Sequence, residues 1–224
     1  MKKVFLGVGH GGADSGAIAR DKQLEKDLNL SIAKACGAAL VRSGVQVKLS
    51  RTKDEHDPVD HEVKECNAFA PDLAVDIHNN AGGGDGAETF YSRVGGIGKI
   101  LAQNIQAELK ALGQQSRGAK TRLNSSGRDY YAFIRNTKAP AAIVECAFVD
   151  SADLELIDTE AERIKVGEAI ARGILDTLGM PYIPGTAADG SVYRVQCGAY
   201  AKRENAEAMA ARLKKAGFDA IITN

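Results

Sequence analysis

No apolar run in this 224-residue chain approaches the roughly 20 residues of a bilayer-spanning helix, so no membrane partner is expected. Nor is a secretory leader expected. "MKKVFLGVGHGG" carries two lysines but only about five apolar residues before its glycines, short of the roughly 7–15 of a signal-peptide core. Synthesis in the cytoplasm without a signal peptide is therefore the expectation. Net charge is absent as well: 29 basic and 29 acidic side chains cancel, so nothing in the overall balance points to nucleic acid as a partner. Cys36, Cys66, Cys146 and Cys197 form no C-x-x-C pair, and the chain is too long and too cysteine-poor for a disulfide scaffold. They read as reduced, mostly buried thiols.

The glycine-rich start "VFLGVGHGGADSG" also lacks what a nucleotide site needs. Neither G-x-G-x-x-G leading into a helix nor G-x-x-x-x-G-K-[ST] is present, so these glycines make a sharp turn rather than a phosphate cradle. What they surround is His10.

With 44% hydrophobic residues, the chain holds enough apolar side chains for one ordinary domain and something small. Short apolar runs alternate with amphipathic segments, the pattern of an α/β fold. Strands are predicted at 3–8, 45–50, 72–78, 86–92 and 141–146, and helices at 25–43, 96–113 and 160–178. Gly44, Gly113 and Gly179 follow those helices as C-terminal caps. The fold class is thus α/β: a single, mainly parallel twisted sheet flanked by helices, plus a small C-terminal β-α-β module. The domains read as 1–179, a linker at 180–190 holding two of the five prolines, and 191–224. That last segment alternates at 192–197, continues as a helix from Arg203 to Ala216, and closes with "DAIIT". Too small to bury its own sheet face, it calls for a partner surface.

Ligands of open parallel sheets bind beyond the carboxyl ends of the strands. His10 follows the first strand, His78 closes "DLAVDIH", Glu145 lies near the end of "AAIVEC", and Glu25 falls at the start of the first helix, at the same edge. Two imidazoles and a carboxylate with an open fourth position are a common catalytic zinc set, and a second carboxylate then serves as proton carrier. Spacing leaves open which glutamate does which. Glu145 in an apolar strand is costly to bury without a partner, whereas His56 and His61 in "DEHDPVDHEVKE" read as solvated.

"GHGGADSG", "LEKDLNL", "SRT", "DLAVDIHNNA" and "YAFIRNTKAPAAIVECAFVDSADLE" resemble, in order and spacing, the zinc-dependent N-acetylmuramoyl-L-alanine amidases of the amidase-3 family over residues 3–178. The resemblance implies His10, Glu25 and His78 as zinc ligands and Glu145 as catalytic acid/base. Asn80 and Arg135 become candidates for holding substrate. The chain departs from the family at Gly7-Val8, where Asp-Pro is usual, at Asn79-Asn80, where Ala-Asn is usual, and at Ala147, where glycine is usual. The tail is similar to about half of a sporulation-related (SPOR) peptidoglycan-binding domain, which implies attachment to peptidoglycan and a homodimer in which a second copy completes the sheet. A wall-lytic enzyme without a leader would act after release, in phage lysis or mother-cell lysis. The rival readings are a non-catalytic wall-binding module and a zinc peptidase cutting within the stem peptide.

Overall fold

The computed structural model describes residues 1–185, 198–215 and 222. In chain order the elements are β1 (Lys3–Val8), α1 (Glu25–Arg42), β2 (Gln46–Leu49), α2 (Val59–Phe69), β3 (Leu73–Asn80), β4 (Ala87–Tyr91), α3 (Gly96–Ala111), β5 (Ser116–Lys120), α4 (Ala132–Asn136), β6 (Ala141–Phe148), α5 (Glu160–Leu178) and α6 (Arg203–Lys215). A 3-10 turn at Ala152–Leu156 precedes α5.

The six strands lie in the order β2-β1-β3-β6-β4-β5. All neighbours run parallel except β4 and β6. From β1 the chain moves outward to β2 and then returns to the other side of β1 for β3. Such a reversal leaves a crevice beyond the carboxyl ends of the two strands, because their following loops diverge.

Alternation along each strand sorts side chains between two apolar layers. Val4, Leu6 and Val8 of β1, with Val75 and Ile77 of β3, pack on Leu28, Ile32 and Leu40 of α1, Ile105 of α3 and Ile170 of α5. Gly167 lets α5 settle against α1: a Cβ there would stand 2.6 Å from Ile32 O and 2.8 Å from Cys36 N. Phe5, Ala74 and Ile143 face the opposite layer, where Val63 and Cys66 of α2 and Phe133 of α4 cover them. On that side the apolar residues give way, toward the carboxyl ends, to Gly7, Asp76, His78 and Glu145. The crevice holds a cavity of about 460 Å³ lined by Asp76, His78 and Glu145 together with His10 and Tyr131.

Helix α5 is capped by Thr159, which accepts from Glu162 N, and ends at Gly179 with φ 67°. Gly44 (φ 82°) and Gly113 (φ 97°) sit just past α1 and α3, as their sequence positions led one to expect. Cys36, Cys66 and Cys146 are buried free thiols. Three elements go beyond the sequence expectation: α2, α4 and β5. Residues 180–185, the first part of the expected linker, lie within the first compact unit, residues 1–185, where Ile183 N donates to Ser43 Oγ at 3.0 Å.

Residues 186–224 form a second unit, of which helix α6 matches the expected helix. The rest of the expected linker, the strand at 192–197 with Cys197, and "DAIIT" at 219–223 lie outside the described residues, Ile222 excepted. Among the described residues no helix is long and apolar enough to cross a membrane.

Candidate metal centre

The loop after β1 reverses sharply, and its backbone is held by a buried cation. Arg51, 1% exposed, donates from Nε to Val8 O at 3.1 Å and from Nη2 to Gly9 O at 3.2 Å and Lys26 O at 2.7 Å. Arg51 is the arginine of "SRT", and it ties two carbonyls of the turn to one at the start of α1. His10 itself has φ 64°, a left-handed conformation that costs a residue with a Cβ on the order of 1 kcal/mol. The result aims its imidazole back over the sheet edge.

Glu25 is the first residue of α1 and is almost fully buried. Its Oε2 accepts from Ala17 N at 2.9 Å, and its Oε1 accepts from Asn79 N at 3.1 Å and Asn29 Nδ2 at 3.3 Å. The Asn79 side chain in turn donates to Asn29 Oδ1 at 2.8 Å, which gives the departure at position 79 a use: it locks the glutamate's support. On the open side of Oε1 stand His10 Nε2 at 3.2 Å and His78 Nδ1 at 3.3 Å. The two rings meet edge to face with centroids 5.0 Å apart.

One donor atom from each of His10, Glu25 and His78 lies within 4.8 Å of the other two. Two neutral-capable imidazoles and a carboxylate, half-open to the cavity, could hold a metal ion and leave room for a fourth ligand. Glycines keep that space clear. A Cβ on Gly9 would run into the His78 ring, and one on Gly16 would come within 2.6 Å of both Glu25 Oε2 and His10 Cδ2. Electrostatics favour a cation here. Burial opposes ionisation of Glu25, yet hydrogen bonds from His10 and His78 outweigh it and hold the carboxyl well below its ordinary range. The Glu25 contact raises His10; burial opposes the charged form of His78, but the charge and hydrogen bond of Asp76, with Glu25 and Glu145, together raise it. The cluster thus draws positive charge toward Glu25, as protons or as a metal ion.

Glu145 is the strand partner of His78 on β6 and shares its face. Burial, more than any neighbouring charge, pushes its carboxyl up to about 7. Its Oε2 is buried with no hydrogen-bond partner among the described residues, at the edge of the same cavity. A carboxylate that is poised near neutrality and not tied down by the scaffold is suited to carrying a proton.

The other two sequence candidates have scaffold partners. Asn80 Nδ2 donates to Glu88 Oε1 at 2.9 Å. Arg135 Nη1 donates to the carbonyls of Asp129 at 2.7 Å and Tyr130 at 2.8 Å, steadying the loop that brings Tyr131 to the cavity. His61 is exposed and pairs with Asp57, and exposed His56 lies at the cavity wall. Sequence reading passed over Asp14, Asp76 and Glu62. Asp76 had a visible signal: it stands two residues before His78 on one strand, hence on the same face.

Comparison with known proteins agrees with this geometry. Residues 4–176 match the family model described as N-acetylmuramoyl-L-alanine amidase, and residues 177–224 match the SPOR domain. The chain is 31% identical to the sporulation-specific N-acetylmuramoyl-L-alanine amidase of Bacillus subtilis (strain 168), over 99% of this chain and 84% of that protein. Among solved structures, Cwp6 from Clostridium difficile superposes with a TM-score of 0.78 at 34% identity, covering 79% of this chain and 29% of that one. The catalytic domain of CwlV, an N-acetylmuramoyl-L-alanine amidase from Bacillus (Paenibacillus) polymyxa var. colistinus, superposes with a TM-score of 0.73 at 28% identity, covering 81% and 100%. The chain belongs to the N-acetylmuramoyl-L-alanine amidases, with a SPOR domain at its C-terminal end.

Proposed function

We propose that this peptidoglycan amidase cleaves the bond between the lactyl group of N-acetylmuramic acid and L-alanine with a zinc ion held by His10, Glu25 and His78, and with Glu145 as general base. The observation that carries the proposal is the convergence of those three donor atoms on one side of the cavity, with the unpartnered Glu145 carboxylate beside them. Held by these three residues, a zinc ion would supply Lewis acidity for the scissile carbonyl and for acidifying water to a pKa of about 7. Glu145 accepts the proton of the attacking water and delivers it to the alanine nitrogen as the C–N bond breaks, so that the amine leaves neutral. Glu25 stays ionised throughout because the scaffold hydrogen bonds and both imidazoles favour its charge. The cavity opens to solvent at the sheet edge, as a polymeric substrate requires. The SPOR domain supports retention on peptidoglycan.

Removal of the metal tests the ligand set. Dialysis against a strong chelator is expected to abolish release of amino groups from purified walls, and one equivalent of zinc per chain should restore it. Full activity in the chelated protein would remove zinc from the mechanism.

The acid limb of the pH profile tests Glu145. A general base works only when deprotonated, so with a carboxyl pushed up to about 7, kcat/KM should fall as pH drops through and below neutrality. A cation bound next to it favours the ionised form and moves that limb lower. Rates that stay flat from neutral to acidic pH would contradict the assignment.

A further inference from the structure

The two histidines of the centre share a pattern that the ligand assignment leaves unexplained. Each turns one ring nitrogen toward Glu25 Oε1 and the other toward an aspartate: His10 Nδ1 lies 2.9 Å from Asp14 Oδ2, and His78 Nε2 lies 3.3 Å from Asp76 Oδ2. An imidazole binds a metal through a nitrogen lone pair, so its proton must sit on the other nitrogen, and an acceptor there selects that tautomer and fixes the ring.

The two aspartates are not equivalent. The Asp14 side chain is 59% exposed, while that of Asp76 is 5% exposed. Water competes with the first contact and screens it; the second is sheltered. We infer that Asp76 is a positioning residue that holds the His78 ring with Nε2 protonated and Nδ1 turned to the metal. This inference rests on the metal reading above.

The surrounding residues make room for this carboxylate. Gly7 on β1 is the strand partner of Asp76 on β3. A Cβ at Gly7 would overlap Glu62 Oε1 and stand 2.6 Å from Asp76 Oδ1. Where the family resemblance places an aspartate on β1, this chain has glycine and brings the acid in from the neighbouring strand. Glu62 of α2 supports the arrangement: its carboxyl is pushed well above the ordinary range, by burial first and then by the charge of Asp76.

The test is zinc affinity of the full chain, measured by competition with a chromophoric chelator, for wild type, Asp76→Ala, Asp76→Asn and Asp14→Ala. Asp76→Ala is expected to bind zinc about 10–100-fold more weakly. Asp76→Asn keeps an acceptor oxygen in place and should recover most of that loss, and Asp14→Ala should change affinity less than Asp76→Ala. Imidazole nitrogen NMR of the zinc-loaded wild type should find the His78 proton on Nε2, a result that needs no variant to fold. Wild-type affinity in a folded Asp76→Ala protein, or a His78 proton on Nδ1, overturns the inference and leaves the ligand set standing. A wild type that fails to bind zinc overturns both.

Discussion

Replacing Glu145 with glutamine is expected to slow hydrolysis by about 10²–10⁴-fold while zinc stays bound, the span general acid–base catalysis usually covers. The substitution keeps the side chain's size and polarity, so the strand β6 that pairs with β3 and β4 has no reason to rearrange. What is lost is the site that accepts a proton. The neutral amide also removes a carboxyl that is costly to bury, so thermal stability should hold or rise. Rate and metal content together distinguish the two roles that spacing alone left open for the glutamates. If Glu145→Gln lost zinc stoichiometrically, Glu145 would be a ligand and the proton carrier would have to be sought elsewhere.

His10→Ala should abolish both bound zinc and wall lysis, and its metal affinity should fall further than that of any variant that only removes a hydrogen-bond partner of a ligand. Two donors cannot replace three on a cation that prefers four ligands. The position complicates the reading, because His10 sits at φ 64°, where alanine is strained as well. His10→Asn is the matching control: asparagine tolerates the left-handed region, so the loop should keep its shape while the donor set is lost. Zinc content by elemental analysis and melting of the metal-free proteins separate the two effects. Retention of one zinc per chain by a folded His10→Asn protein would show that His10 is not a ligand.

Much of the site was legible because it lies where strands end. β1, β3 and β6 announce themselves as apolar runs; His10 stands just beyond β1, and His78 and Glu145 lie toward the carboxyl ends of β3 and β6. Glu25 is legible as the opening residue of an amphipathic helix. What escaped notice did so for physical reasons. Helix α2 has four charged residues in eleven, Asp60, Glu62, Lys64 and Glu65, and its apolar face is narrow, so "DEHDPVDHEVKE" reads as a solvated stretch. One of those charges, Glu62, is in fact buried against Asp76. Strand β5, "SRGAK", has no apolar alternation, because among the described residues it is an edge strand paired with β4 alone. The role of Arg51 as a buried tie for the His10 loop depends on carbonyls contributed by distant segments, which no local pattern reports.

The most direct test of the central claim is the identity of the bond that breaks. Purified peptidoglycan digested with wild type and with Glu145→Gln, and resolved by mass spectrometry, should show intact sugar strands and free stem peptides bearing N-terminal L-alanine from the wild type alone. Cleavage within the stem peptide, or equal release by both proteins, would contradict it.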